Sequence, residues 1–176
     1  NQIGAAAYGA FGIGISAGVT GSLVQRNRIA TVYCDNTATG ASAPLSYGIH
    51  VTGGTSIYAN NSIAIGYLSG NDGKVIGIND AGSTANLYVY NSVDILGTAF
   101  AAGVSSTYAF YRASTGAIGI RNNAFVNERT NTAGGTGVHY AIGTASTTNW
   151  IGNSNPALVT SDFNFLSARD VSKTAD

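Results

Sequence analysis

Eight carboxylates, eight basic residues, two histidines and one cysteine are all that this 176-residue chain offers to acid–base, nucleophilic or metal chemistry. The acids are Asp35, Asp72, Asp80, Asp94, Glu128, Asp162, Asp170 and Asp176, and no two are adjacent. Glycoside hydrolysis needs two carboxyls facing one bond, so a pair here would have to converge from separate segments. Asp72 and Asp80 flank one apolar run on Asn/Gly-rich turns, where an aspartate closes an Asx-turn or caps a strand. His50 and His139 occupy similar places in a recurring motif, too far apart for joint ligation, and each reads as a lone surface imidazole. Cys34 follows an apolar run with no base nearby and reads as a small buried hydrophobe. A single cysteine excludes an intrachain disulfide, and no CxxC or His/Cys metal spacing occurs, so neither metal nor cofactor is expected.

Whatever positions these groups is built with little charge. Charged residues are 9% of the chain, and basic and acidic residues cancel. That leaves no basic excess to hold phosphates, which argues against nucleic-acid binding. No run approaches the roughly 18 apolar residues of a membrane span. The 24 glycines supply the positive-φ corners of a chain that turns often. The absence of an initiator Met or basic leader suggests processing, or a portion of something longer.

Five segments share one grammar: Leu23-Val24-Gln25-Arg26-Asn27, Ile57-Tyr58-Ala59-Asn60-Asn61, Leu87-Tyr88-Val89-Tyr90-Asn91, Ile118-Gly119-Ile120-Arg121-Asn122 and Asn149-Trp150-Ile151-Gly152-Asn153. An asparagine closes each, at a period of roughly 31 residues, the mark of a solenoid. A second apolar run precedes each segment and a third follows several, which predicts three short strands per coil in about five coils. The reading is all-β, a parallel β-helix, and right-handed because parallel crossovers favour that hand. Residues 1–166 form one domain on this view, with 167–176 a polar tail or short cap.

Counting from each asparagine, positions −4, −2 and +2 are the apolar ones and are expected to point inward. Asn27, Asn61, Asn91, Asn122 and Asn153 would form a structural ladder of amides at an αL corner. Positions −3 and −1 would then face solvent and carry Tyr58, Tyr88, Tyr90 and Trp150 beside Arg26, Asn60 and Arg121. Flat aromatics flanked by hydrogen-bonding groups suit a sugar or a protein partner. Tyr47, Tyr108 and Tyr140 share parity with inward residues and are expected to form a buried or semi-buried aromatic stack at a strand entrance.

The residues most typical of a family are Asn122-Asn123-Ala124-Phe125-Val126-Asn127, Gly134-Gly135-Thr136-Gly137, Tyr140-Ala141-Ile142 and Ser161-Asp162-Phe163-Asn164-Phe165. With them, residues 11–166 resemble the right-handed parallel β-helix, pectin-lyase-like superfamily, and most of all the repeat regions of bacterial surface and secreted proteins. The resemblance implies a non-catalytic structural or binding segment of an extracellular surface protein: an adhesin, stalk or filament component. Its partners would be other copies or flanking coils, and an extracellular polysaccharide. The superfamily's polysaccharide lyases, hydrolases and tailspike-like proteins give the alternative, with Arg26, Arg121 and the aromatic column lining a cleft and Asp94 or Asp162 as acids. The hydrolase blocks of that superfamily are missing: Gly137-Val138-His139 is not Gly-His-Gly, and no Asp pair occurs.

Overall fold

The structure is a computed structural model that describes residues 10–15, 20–32, 45–66, 73–82, 85–99, 103–114, 118–131, 134–145 and 159–169. Among them the chain forms strands and no helix, hence no helix long and apolar enough to cross a membrane. Strands are numbered in chain order. The first sheet stacks β1 (Ala10–Ile15), β4 (Leu45–Val51), β7 (Lys74–Asp80), β11 (Thr107–Arg112) and β15 (His139–Thr144). The second stacks β2 (Leu23–Gln25), β5 (Ile57–Ala59), β8 (Asn86–Val89), β12 (Ile118–Arg121) and β16 (Val159–Asp162). The third stacks β3 (Arg28–Ala30), β6 (Ser62–Ile65), β9 (Ser92–Ile95), β13 (Ala124–Asn127) and β17 (Phe165–Ala168). A small ladder pairs β10 (Thr98–Ala99) with β14 (Thr130–Asn131).

Every pairing is parallel and joins strands one coil apart, which makes the molecule a β-solenoid. Three turns, those of β4–β6, β7–β9 and β11–β13, are stacked on both sides; the coils of β1–β3 and β15–β17 bound them. The last strand runs to Ala168, and the Arg169 N–H bonds the Asn127 carbonyl, so the third sheet continues past residue 166.

The core is a file of side chains stacked at the coil spacing of about 4.8 Å. Ile29, Ile63, Val93 and Phe125 follow one another inward from the third sheet; the first three are the expected +2 residues, while in the fourth coil Phe125 takes the place expected of Ala124. Ile49, Ile78 and Phe110 face them from the first sheet. Tyr58 and Tyr88 fill the space from the second, their rings stacked at 4.8 Å, with Phe110 edge-on to Tyr88 at 5.1 Å.

In β2, β5 and β8 the second sheet therefore has the opposite face inward from the one its sequence suggests, whereas Ile118 and Ile120 of β12 point inward as expected. Tyr58 and Tyr88 are 0% exposed, whereas Leu23 and Ile57, expected inside, are 54% and 42% exposed. The cause lies at the corner. Arg26, Asn60, Tyr90, Asn122 and Phe163 all have φ between 51° and 56°. A left-handed residue breaks strand alternation, so parity counted backward across it is shifted by one. The left-handed residue is the one before each ladder asparagine, not the asparagine itself.

The ladder is Asn27, Asn61, Asn91, Asn123 and Asn164. Consecutive members are joined by amide hydrogen bonds of 2.9–3.0 Å across 34, 30, 32 and 41 residues. Asn122, expected in this column, is instead the exposed corner residue. Asn60-Asn61 and Asn122-Asn123 are equivalent doublets whose first member turns and whose second is buried. Asn153 lies outside the described residues, and Asn164 holds the fifth position.

Candidate functional site

Of the seven residues expected on one aromatic face, Tyr58 and Tyr88 line the interior and are removed from any surface by the shifted parity. Burial pushes the Tyr58 phenol up to about 12 and that of Tyr88 well above its ordinary value. Arg26, Asn60 and Tyr90 share the exposed corner column, and Arg121 stands exposed beside it, in register with Val89 and Asp162. Trp150 lies outside the described residues, as do Cys34, Asp35 and Asp72. Asp94 and Asp162 are on different sheets and two coils apart, so they do not form a hydrolytic pair.

The aromatic surface is on the first sheet. Phe11, Tyr47, Ile76, Tyr108 and Tyr140 are in register, and so are Gly14, His50, Asn79, Tyr111 and Gly143. Both columns lie on the outer side. Tyr47 and Ile76 are buried yet stand outside the continuous core, while Tyr108, Tyr111 and Tyr140 are half-buried. Inward parity was expected for Tyr47, Tyr108 and Tyr140. The strand kinks where Ala109 and Phe110 are both fully buried, and this leaves the outward residues three apart instead of two. The spacing Tyr47 to His50 and Tyr108 to Tyr111 is the sequence signal of that kink.

The rings form two banks. On β1 and β4, Phe11 stacks on Tyr47 at 5.5 Å and His50 stacks on Tyr47 at 4.5 Å. On β11 and β15, Tyr108 stacks on Tyr140 at 5.2 Å and lies 4.5 Å from Tyr111. Strand β7 runs between them. Its Asn79 amide bonds His50 Nδ1 at 2.8 Å, and its Lys74 Nζ lies 5.3 Å from the Tyr108 ring centre and 4.8 Å from that of Tyr111. Burial lowers the pKa of both His50 and Lys74. The banks are two strand spacings apart, about 9.6 Å.

His139 is not a surface imidazole. It is buried, with Nδ1 2.9 Å from Thr107 Oγ1 and Nε2 3.0 Å from Asn131 Oδ1. A second buried polar group lies where the first sheet ends. Asp80 Oδ1 accepts the Gly82 N–H at 3.1 Å, as an Asx-turn does, and the Asn86 amide at 3.2 Å. Arg112, its register neighbour on β11, donates from Nε to the Ser114 carbonyl at 2.9 Å. Among the described residues no three of His, Cys, Asp and Glu gather as a metal site.

No protein-family model, curated protein or solved structure matches the chain.

Proposed function

We propose that this chain is a structural and binding segment of an extracellular bacterial surface protein of the right-handed, pectin-lyase-like kind, and that it holds a polysaccharide on the outer face of its first sheet. The carrying observation is the pair of aromatic banks. Rings fixed on a stacked sheet lose little freedom when a ligand arrives, which favours binding by a rigid platform. Tyrosine offers an apolar face to the carbon side of a sugar and a phenol to its hydroxyls. A spacing of about 9.6 Å suits one oligosaccharide lying across both banks, with the Asn79 strip between them. Among the described residues His50 on this face is engaged by Asn79 and Tyr47 and Lys74 by the rings of Tyr108 and Tyr111, which supports binding without turnover.

A glycan array probed with the chain and with its Tyr108→Ala/Tyr140→Ala variant tests this. Binding to one glycan class, lost in the variant while the circular dichroism spectrum is kept, is the expected result. An empty array, or equal binding by both proteins, overturns it.

A further inference from the structure

We propose that the two ends of this solenoid are complementary and that copies of the chain stack head to tail, the β16–β17 edge of one against the β2–β3 edge of the next. The ladder has a direction. The Asn27 backbone N–H and side-chain amide both donate to Asn61 Oδ1, at 3.2 and 2.9 Å, and each later asparagine repeats this toward its successor. In return, Asn61, Asn91, Asn123 and Asn164 each donate to the carbonyl three residues ahead of their predecessor: Val24, Tyr58, Tyr88 and Ile120. Two half-sets are left over. Among the described residues nothing donates to Asn27 Oδ1, and the Asn164 backbone N–H has no acceptor. Continuing the pattern across a junction, the Asn164 N–H donates to Asn27 Oδ1 of the next copy. That copy's spare Asn27 amide proton then reaches the Ser161 carbonyl.

The side chains match in the same register. Leu166 follows Phe125 in the inward column but is exposed, and one coil further that column holds Ile29. Phe163 and Phe165, 80% and 62% exposed, fall opposite Arg26 and Arg28, both exposed, which places a guanidinium against each ring. Asp162 falls opposite Gln25, beside Arg26. One end thus carries rings and a carboxylate and the other carries cations, a match that sets register and direction. Such an interface is heterologous and does not close on itself, so it builds filaments.

Sedimentation velocity tests the stacking with the full chain and two variants altered only at exposed positions, Phe163→Lys/Phe165→Lys and Arg26→Ala/Arg28→Ala. The unaltered chain is expected to form oligomers that grow with concentration. Each variant alone is expected to sediment as a 17.8 kDa monomer. Their equimolar mixture is expected to give a complex of one copy of each and nothing larger, because one intact end of each kind remains. Three results each overturn the proposal: an unaltered chain that stays monomeric up to about 1 mM, where even a contact of roughly 4 kcal/mol populates the complex; either variant alone forming dimers; or a mixture that does not associate. Circular dichroism of both variants keeps misfolding apart from lost contacts. The glycan array reads a different face, so failure of the one proposal does not imply failure of the other.

Discussion

The asparagine column and the Asp80–Arg112 region both bury polar side chains, but the first is repeated in every coil and the second occurs once. Asn61, Asn91 and Asn123 are almost completely buried, and each amide accepts from the coil before, donates to the coil after and bonds a carbonyl besides. Asp80 and Arg112 are each 1% exposed, and the coils above and below offer Val51 and Thr144 at the same register. Their neighbourhood is correspondingly unfinished. Arg112 Nη1 and Nη2 are buried without hydrogen-bond partners. Burial pushes Asp80 up to about 6, against the pull of its hydrogen bonds and of Arg112, and lowers Arg112. In a stacked coil, then, a buried polar group is well tolerated when its neighbours repeat it and costly when they do not.

Asn123→Ala breaks the comparison hardest. It strips acceptors from the backbone and amide of Asn91 and removes the donors to Tyr88 and Asn164. With buried partners left unpaired, urea unfolding should show a loss of about 3–4 kcal/mol. Asn122→Ala at the exposed corner should cost under about 1 kcal/mol. Equal losses would show that the doublet had been assigned the wrong way round.

The unrepeated pair should behave in the opposite sense. A carboxyl whose folded pKa is about 6, against 3.8 for the ordinary group, is favoured in the fold when protonated. Its contribution is complete below about pH 4 and is lost as pH rises through 6, which amounts to roughly 3 kcal/mol at neutral pH. Asp80→Asn keeps an oxygen for the Gly82 N–H, and should gain up to that amount at pH 7. Unfolding free energy measured from pH 4 to 7 should fall in the parent and stay nearly flat in the variant. Two partly solvated groups leave small residual slopes: Asp94, raised by burial and by Glu128, one of the same sign, and His50, lowered by burial, one of the opposite sign. A steep slope surviving in Asp80→Asn would remove the contrast.

The smallest effect concerns the corner. Tyr90 holds a left-handed conformation while exposed, a cost that asparagine largely avoids. Tyr90→Asn should raise stability by about 1 kcal/mol, read as an increased urea midpoint with unchanged slope.

The solenoid was legible because its period is written in asparagines and apolar triplets, and position +2 was read correctly from Ile29, Ile63 and Val93. What escaped was local backbone geometry. Arg26, Tyr90 and Phe163 are not residue types that announce φ > 0, so the flip of Tyr58 and Tyr88 into the interior carried no compositional warning. The doublets Asn60-Asn61 and Asn122-Asn123 did hold the clue, since aligning them shifts the fourth coil by one. The kink at Ala109-Phe110 hid the true aromatic face in the same way, by changing a spacing of two into three. The step of 41 residues to Asn164 broke the period at the end.

One glycine sets how thick the molecule can be. A Cβ on Gly77 would meet the Val93 Cγ1 at 2.1 Å and the Ala109 carbonyl oxygen at 2.5 Å; Gly48 stands in the same relation to Ile63 and Gly12 to Ile29. Opposite walls of one coil therefore touch with no side chain to spare. Trimming the facing side chain would not make room, because a backbone carbonyl of the next coil stands as near at all three sites, so positions 12, 48 and 77 tolerate only glycine.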